Sequence, residues 1–219
     1  MDTLQKALQY ALDPRNDLLE KVWAHVLLSG AALLLAVAIG VPLGIWISRF
    51  GAFARITVNF AGVLRVVPSI AVLFLLLPLV GTGFRPSLIA LTFLAVPPIL
   101  INTDAGMRSV APAIVEAGRG LGMSAWRLLW RVQIPLAMPV VLGGLRRAAV
   151  EVIASATLAT LIGGGGLGDY IQAGLALSRN DILLVGAIPV ALLALMVELG
   201  LNYAERAMTR QRAMTRQRA

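Results

Sequence analysis

The sequence predicts an all-α, polytopic membrane protein with about five transmembrane helices, and three observations lead to this fold class. Hydrophobic residues make up 58% of the 219 residues and charged residues only 14%. The apolar residues come in runs that are too long for the core of a globular domain. A polar, arginine-bearing segment, residues 104–135, interrupts these runs and should lie outside the bilayer. We therefore expect one transmembrane domain over residues 1–219.

The first part of the chain combines a short polar helix with a long apolar one. Residues 1–20 carry apolar side chains at helical spacing with charges between them, which predicts an amphipathic helix near the membrane interface. Residues 22–47 form the first long apolar run. At ~1.5 Å per residue, this run is long enough to cross a ~30 Å hydrocarbon core.

Two further spans are predicted before the polar segment. The second covers about 56–80 and includes Arg65, and the third covers about 86–101. The third contains Pro97 and Pro98, which should break or kink the helix because proline lacks a backbone N–H.

Two spans are predicted after the polar segment, at about 136–162 and 182–203. A glycine-rich stretch, residues 163–170, and a short helix to about Leu177 connect them. Gly163, Gly165 and Gly168 satisfy G-x-G-x-x-G, but this motif follows a membrane helix and no parallel sheet surrounds it. A tight re-entrant turn explains the glycines better than a dinucleotide site.

The composition limits the chemistry of the chain. Cysteine is absent, which excludes disulfides, thiolate metal sites and cysteine nucleophiles. The single histidine, His25, argues against a histidine-rich metal centre, and we expect it to be an interfacial residue. The formal charge of +8 would suggest nucleic acid as the partner of a soluble protein. Here the arginines cluster beside the apolar runs, so membrane topology explains them better.

The polar segment, residues 104–135, has the features of an element that docks on a partner, and it is named the docking segment. Its tryptophans and leucines supply apolar anchors, its arginines supply charge, and its glycines let another surface come close, which suits a groove on a soluble partner. An ordinary amphipathic interfacial helix is the alternative. Glu116 is expected to begin a turn, and Pro135 to mark a break before the chain re-enters the membrane. From residue 116 the segment reads Glu116-Ala117-Gly118-Arg119-Gly120-Leu121-Gly122. It continues through Trp126 and Trp130 and ends at Val132-Gln133-Ile134-Pro135.

This segment resembles the E-A-A, three residues, G, nine residues, I-x-L-P signature of permease subunits of ATP-binding-cassette (ABC) importers. Gly118 stands in place of the second alanine. The matching positions are Glu116, Ala117, Gly122, Val132, Ile134 and Pro135. The resemblance implies the type I importer permease fold with a cytoplasmic coupling helix, and coupling to the ATPase through Glu116, Ala117, Gly118, Gly122, Trp126, Ile134 and Pro135.

Other stretches resemble the osmoprotectant branch of these permeases, which handles glycine betaine, choline and carnitine. Ile101 and Asp104 depart from that pattern, where a basic and an aromatic residue are expected. The similar stretches are Arg65–Ala71, Pro78, Gly81–Gly83, Pro98–Thr103, Ala156–Ala159, Gly165–Asp169 and Gly186–Leu195. The closest alternative is a permease for an amino acid such as methionine. A secondary transporter that needs no ATP is more remote, because it leaves the docking segment unexplained.

The resemblance implies several partners. They are a cytoplasmic ABC ATPase that binds ATP and Mg, an external substrate-binding protein, and a second permease chain that is identical or a paralogue. The chain itself is not expected to be an enzyme or to hold a cofactor, because it has no G-x-x-x-x-G-K-[ST] motif and its only lysines are Lys6 and Lys21.

Arginine distribution predicts the orientation in a bacterial or archaeal plasma membrane. Five spans place the termini on opposite sides, and an excess of arginine marks the cytoplasmic side. With the docking segment inside, the N-terminus is outside and the basic tail, residues 206–219, is cytoplasmic. The tail repeats Ala-Met-Thr-Arg-Gln-Arg and is either solvated or an anchor for anionic lipid. The arginines assigned to the inside are Arg49, Arg55, Arg108, Arg119, Arg127, Arg131, Arg146, Arg147, Arg206, Arg210, Arg212, Arg216 and Arg218.

Three residues are candidates for the translocation path. Arg65 and Glu151 are ionisable residues within predicted spans, where charge is costly unless it is paired or wetted. Glu151 either offers a counter-charge to a quaternary ammonium group or pairs with Arg147 or Arg65. Tyr170 is a candidate for cation-π contact with such a group.

Overall fold

A computed structural model describes the backbone of residues 3–216 and the side chains of residues 3–208. Within this range the chain is helical and contains no strand. The first two residues and the end of the basic tail, residues 217–219, lie outside the described residues. In chain order the helices are α1 (Thr3–Leu12), α2 (Leu18–Ile47), α3 (Gly51–Leu64), α4 (Ser69–Val80), α5 (Phe84–Arg108), α6 (Pro112–Gly120), α7 (Ala125–Leu128), α8 (Ile134–Ala156), α9 (Gly168–Ala176) and α10 (Asn180–Arg216).

The described helices agree with the prediction of about five spans. Four are long and apolar enough to cross a membrane, and α3 with α4 adds a fifth crossing if the two form one broken span. The amphipathic helix predicted near the N-terminus is α1. The four continuous spans are Pro14–Ile47, Phe84–Arg108, Ala125–Ala156 and Asn180–Met208.

The predicted second span, residues 56–80, is wrong as a single helix. It is divided into α3 and α4 by residues 65–68. Pro68 has no N–H to donate, and its ring disfavours helical geometry at Val67, so the helix ends before this pair. Arg65, predicted to lie within a span, is an exposed residue at the end of α3.

The prediction that Pro97 and Pro98 break or kink the third span is wrong as a break, because α5 continues through both prolines to Arg108. Each proline removes one backbone hydrogen bond, but membrane helices tolerate this where neighbours hold the chain. Ile99 and Leu100, which follow directly, are buried at 0% and 3% exposure. Tertiary packing therefore keeps the helical path.

The predicted fourth span, residues 136–162, ends earlier as an α-helix. α8 stops at Ala156, and Leu158–Ile162 form a 3-10 helix before the glycines. The short helix predicted after the glycines is α9, which ends at Ala176.

The described chain divides into two compact units. The first takes in the described residues of Met1–Leu35, Val66–Ala95 and Ala149–Glu198. Its buried cluster joins Ala7 of α1 to Tyr170 of α9 and Ile182 of α10, with Leu167 and Val185. The N-terminal helix is thus part of the core of this unit.

The second unit takes in Ala36–Arg65, Val96–Ala148 and the described residues of Leu199–Ala219. A Cβ on Gly144 of α8 would lie 2.5 Å from the Cβ of Asn102 in α5, so glycine lets these helices approach closely. A buried cluster of Met107, Leu129 and Ala137 then joins the end of α5 to the docking segment and α8.

Candidate functional site

The residues predicted to dock a soluble partner lie on α6, on α7, in the turns beside them and at the start of α8, all in the second unit. Pro112 begins α6, where its missing N–H costs no helical hydrogen bond. Glu116 and Ala117 lie inside this helix with exposed side chains. The expectation that Glu116 begins a turn is therefore wrong, because the helix continues four residues further, to Gly120.

Gly122 ends this first helix with a Schellman motif. The N–H of Met123 donates to the carbonyl of Gly118 at 3.1 Å, and the N–H of Gly122 donates to the carbonyl of Arg119 at 2.9 Å. This pattern requires a left-handed residue, and Gly122 has φ +77°. The turn leaves Leu121 84% exposed. The glycine of the signature thus has a backbone role.

Gly118 lets α6 and α7 approach each other. It is buried, and a Cβ at this position would lie 2.6 Å from Cδ1 of Leu128. Leu128 is itself only 3% exposed. The signature has its second alanine at this position. Because Gly118 has no side chain, Leu128 fills the space that the methyl group of an alanine would take.

The next helix exposes two aromatic anchors. Ser124 caps α7 by accepting the N–H of Arg127 at 3.4 Å. Trp126 and Trp130 contact edge to face, with ring centroids 5.4 Å apart, and they are 69% and 53% exposed. Large exposed aromatic rings beside charged side chains are typical of protein-binding surfaces. Between Pro112 and Pro135 the exposed charges are those of Glu116, Arg119, Arg127 and Arg131.

The break predicted at Pro135 is wrong. Residues Leu129–Gln133 form a π-helical turn, and α8 begins directly after it at Ile134. At Pro135 the backbone hydrogen bonds change from the π-helical spacing of five residues to the α-helical spacing of four. Pro135 lies in the first turn of α8, where a proline is tolerated. Ile134 is half-buried and Pro135 is exposed.

The glycine-rich turn, residues 163–166, lies in the first unit with a polar cluster beside it. Asp169 accepts hydrogen bonds from Lys21 Nζ at 2.5 Å and from the hydroxyl of Thr160. Gly83 donates its N–H to the carbonyl of Ile162 at 2.7 Å, just before the turn. Lys21 of α2, Thr160 before the turn and Gly83 before α5 therefore hold the residues that flank the turn.

The structure places Tyr170 in the core of the first unit. Its side chain is 6% exposed, its hydroxyl donates to the carbonyl of Asn16, and its ring meets Tyr10 edge to face at 6.3 Å. Burial raises the pKa of the Tyr170 hydroxyl, and nearby negative groups, including Asp17 and Asp169, raise it further. The hydroxyl therefore stays protonated as a donor.

Two acidic residues near the ends of the spans pair with arginines. Asp104 accepts from Arg108 at 2.8 Å one turn later on α5. Glu205 of α10 lies 3.6 Å from Arg146 of α8. Glu151, the other path candidate, is half-buried on α8 and also takes part in an interaction.

Comparison with known proteins identifies the family of this chain. The family described as "Binding-protein-dependent transport system inner membrane component" matches residues 36–210, which include the whole docking segment. The chain belongs to this permease family. The matched residues include the exposed helix pair α6 and α7.

Curated relatives of this permease match nearly the whole chain. It is 45% identical to the carnitine transport permease protein OpuCB of Listeria monocytogenes, over 89% of both chains. It is 39% identical to the glycine betaine/carnitine/choline transport system permease protein OpuCB of Bacillus subtilis, again over 89% of both. A solved structure of the MetNI methionine ABC transporter in an inward-facing conformation has a TM-score of 0.78 at 19% identity, covering 90% of this chain and 98% of that one. The last likeness shows the fold alone.

Several residues of these sites were not found from the sequence. His25, expected at the interface, is fully buried, and the pairing of Lys21 with Asp169 joins residues 148 positions apart. No sequence pattern singles out Leu128 among the apolar residues of the segment. The signal that points to it is glycine at position 118, since a missing side chain leaves space for another.

Proposed function

We propose that this chain is the transmembrane subunit of an ABC importer that translocates quaternary ammonium osmoprotectants such as glycine betaine, choline and carnitine. The observation that carries this proposal is the likeness at 45% and 39% identity, over 89% of the chain, to permeases named for these solutes. The methionine alternative has support only from a fold similarity at 19% identity. Family and relatives together favour the osmoprotectant branch.

The proposed complex contains partners that supply what this chain lacks. A separate cytoplasmic ATPase binds ATP and Mg and hydrolyses the nucleotide, so this chain is not itself an enzyme and holds no cofactor. An external binding protein delivers the solute, and a second permease chain, identical or a paralogue, completes the path. The family description, which specifies a binding-protein-dependent system of the inner membrane, supports this assembly.

The docking segment is the proposed contact with the ATPase. Trp126, Trp130 and Leu121 offer exposed apolar area, and Glu116 offers a carboxylate on the preceding helix. The Gly118–Leu128 contact holds the two helices together. Closure of the ATPase on ATP would therefore move α6 and α7 as one piece and shift the permease from inward-open to outward-open.

The proposed orientation is N-terminus outside and C-terminus inside a bacterial or archaeal plasma membrane, in a multi-pass chain that acts as one permease domain. Arg65 and Glu151 remain the proposed ionisable residues along the path. Tyr170, buried in the core of the first unit, supports the helices that pack around it. Glu151→Gln should lower coupled uptake if its charge faces the solute. A variant with full uptake would exclude that role.

The deciding experiment measures ATP hydrolysis by the complete complex in lipid, with the cognate ATPase and binding protein. Glycine betaine, choline, carnitine and methionine are compared as the added solute. We expect stimulation by a quaternary ammonium compound, and its loss in Glu116→Ala. Glu20→Ala, which removes an exposed carboxylate from the start of α2, is the matched control and should keep full stimulation.

Two outcomes would contradict the proposal. Stimulation by methionine alone would preserve the importer and refute the substrate class. Solute flux that continues without any ATPase would refute the importer itself.

A further inference from the structure

His25 is an unusual side chain for the interior of a membrane protein. It lies on α2 within the span Pro14–Ile47 and is fully buried, at 0% exposure. Its Nε2 is 3.1 Å from the carbonyl oxygen of Ile153, while its Nδ1 is buried without a hydrogen-bond partner. A buried polar side chain is costly unless its hydrogen bonds repay the loss of water, so the one bond that it makes should matter.

The carbonyl of Ile153 needs a donor because α8 ends just after it. In a continued α-helix this carbonyl would accept the N–H of Thr157. The N–H of Thr157 donates instead to Ala154 at 3.2 Å, as the chain tightens into the 3-10 helix Leu158–Ile162. His25 therefore supplies from α2 the donor that the end of α8 has lost.

This contact determines the tautomer of His25. A carbonyl oxygen can only accept, so Nε2 must carry a proton. Because Nδ1 is buried without an acceptor, the ring is assigned as neutral, with Nδ1 unprotonated. A second proton on Nδ1 would be buried with no acceptor.

The glycine-rich turn passes directly over the same residue. Gly166 has φ +90°, and a Cβ on it would lie 3.2 Å from the Cα of His25. The hydroxyl of Ser29 donates to the carbonyl of His25 at 2.7 Å, one turn later on α2. α2, the end of α8 and the turn therefore meet at this side chain.

Lys21 makes the corresponding contact on the other side of the turn. It precedes His25 by four residues, so the two side chains share one face of α2. Lys21 binds Asp169 in the first turn of α9, whereas His25 binds the last turn of α8. The Lys21–Asp169 pair is about one-third exposed, so the fully buried contact of His25 should contribute more.

We propose that His25 is a positioning residue of the importer: as a neutral imidazole protonated on Nε2, it holds the end of α8 and the glycine-rich turn in the arrangement that transport requires. This role rests on the proposed function for its transport consequence, but the contact itself can be tested without transport.

The first test compares amides of different reach in the complete complex in lipid. In His25→Gln the amide nitrogen can take the place of Nε2, whereas in His25→Asn it reaches only to the place of Nδ1. We expect uptake of the quaternary ammonium solute within about threefold of the wild type for His25→Gln and at least about tenfold lower for His25→Asn. Hydrogen exchange of the amides of residues 157–169 should be about tenfold faster in His25→Asn only. Equal behaviour of the two variants in both measurements would overturn the proposal.

The second test needs no substitution. Because the chain has a single histidine, labelling this subunit with 15N-histidine before assembly with unlabelled partners gives one imidazole to observe by NMR. We expect the neutral ring with the proton on Nε2. A proton on Nδ1, or a doubly protonated ring, would overturn the assignment even if both variants failed to assemble. If the wild type moved no quaternary ammonium solute, the proposed function would fail, while the exchange and NMR results would still decide the role of His25.

Discussion

Leu128 occupies the space that a side chain on residue 118 would need, since its Cδ1 lies 2.6 Å from the Cβ position of Gly118. Both residues are buried, and the contact joins α6 to α7 in the docking segment. An alanine here would force the leucine or the whole second helix to move, because 2.6 Å is well inside ordinary carbon–carbon contact of about 3.5–4.0 Å. The relative placement of the two docking helices thus depends on a small-to-large pair.

The first prediction follows from this pair. Gly118→Ala should lower the solute-stimulated ATPase activity of the complex about twofold or more, because Cδ1 of the buried Leu128 has to move away from the added methyl group at a cost of about 1 kcal/mol. Gly200→Ala, in α10 and outside the docking segment, is the matched control, since no atom lies within 4 Å of its Cβ position. It should keep full activity and add a little helix stability.

A shorter residue at position 128 should repair the first variant. Gly118→Ala combined with Leu128→Val should recover most of the stimulated ATPase activity, measured in the same assay. Equal activity of Gly118→Ala and Gly200→Ala would show that the contact does not position the segment.

The second prediction concerns the exposed tryptophan pair. Trp126→Ala should weaken binding of the cognate ATPase at least about tenfold, because aromatic anchors carry a large share of interface energy. The measurement is the affinity of the ATPase for the permease in nanodiscs. Trp23→Ala removes a similarly exposed ring from α2, at 67% exposure, and should leave the affinity unchanged. Similar losses in the two variants would argue against docking through Trp126.

The third prediction separates the two partners of Asp169. Lys21→Met should lower the midpoint of thermal unfolding by no more than about 3 °C, since a partly exposed ion pair contributes about 0–1 kcal/mol. Asp169→Ala should lower it by about 3–10 °C, because the hydroxyl of Thr160 and the ammonium of Lys21 both lose their acceptor. A shift in Asp169→Ala no larger than that in Lys21→Met would contradict this role.

The fourth prediction tests the buried hydroxyl of Tyr170. Tyr170→Phe removes its hydrogen bond to Asn16 and should lower the unfolding midpoint by about 2–4 °C, equivalent to about 1 kcal/mol. Tyr203→Phe, at a ring that is 77% exposed, should have no such effect.

The pH dependence of the same variant has a definite sign. Because burial raises the pKa of Tyr170 in the folded state, the stability that its proton contributes is present below the unfolded pKa of about 10 and is lost as the pH rises through the folded pKa. Above about pH 10 the wild type should therefore lose stability more steeply than Tyr170→Phe, measured by thermal unfolding across that range. Parallel curves would contradict the assigned burial of the hydroxyl.

The permease signature in the docking segment and the number of spans could be predicted from the sequence because both are local properties. A run such as residues 22–47 is apolar whatever it contacts, and the signature from Glu116 to Pro135 depends only on residue types at fixed spacing. The same locality explains the errors. Proline penalties predicted a break or kink at Pro97 and Pro98, where packing keeps α5 continuous as a helix. The hydropathy of residues 56–80 concealed the end of a helix before Pro68.

The sequence by itself therefore determined the membrane class, the positions of most helices and the permease family of this protein. Only the tertiary structure decided which side chains meet: Gly118 with Leu128, His25 with the carbonyl of Ile153, and Lys21 with Asp169. The last two contacts join residues 128 and 148 positions apart. Periodicity and spacing carry no information over such separations, because the contacts depend on how the helices are arranged in three dimensions rather than on the residues beside them in the chain.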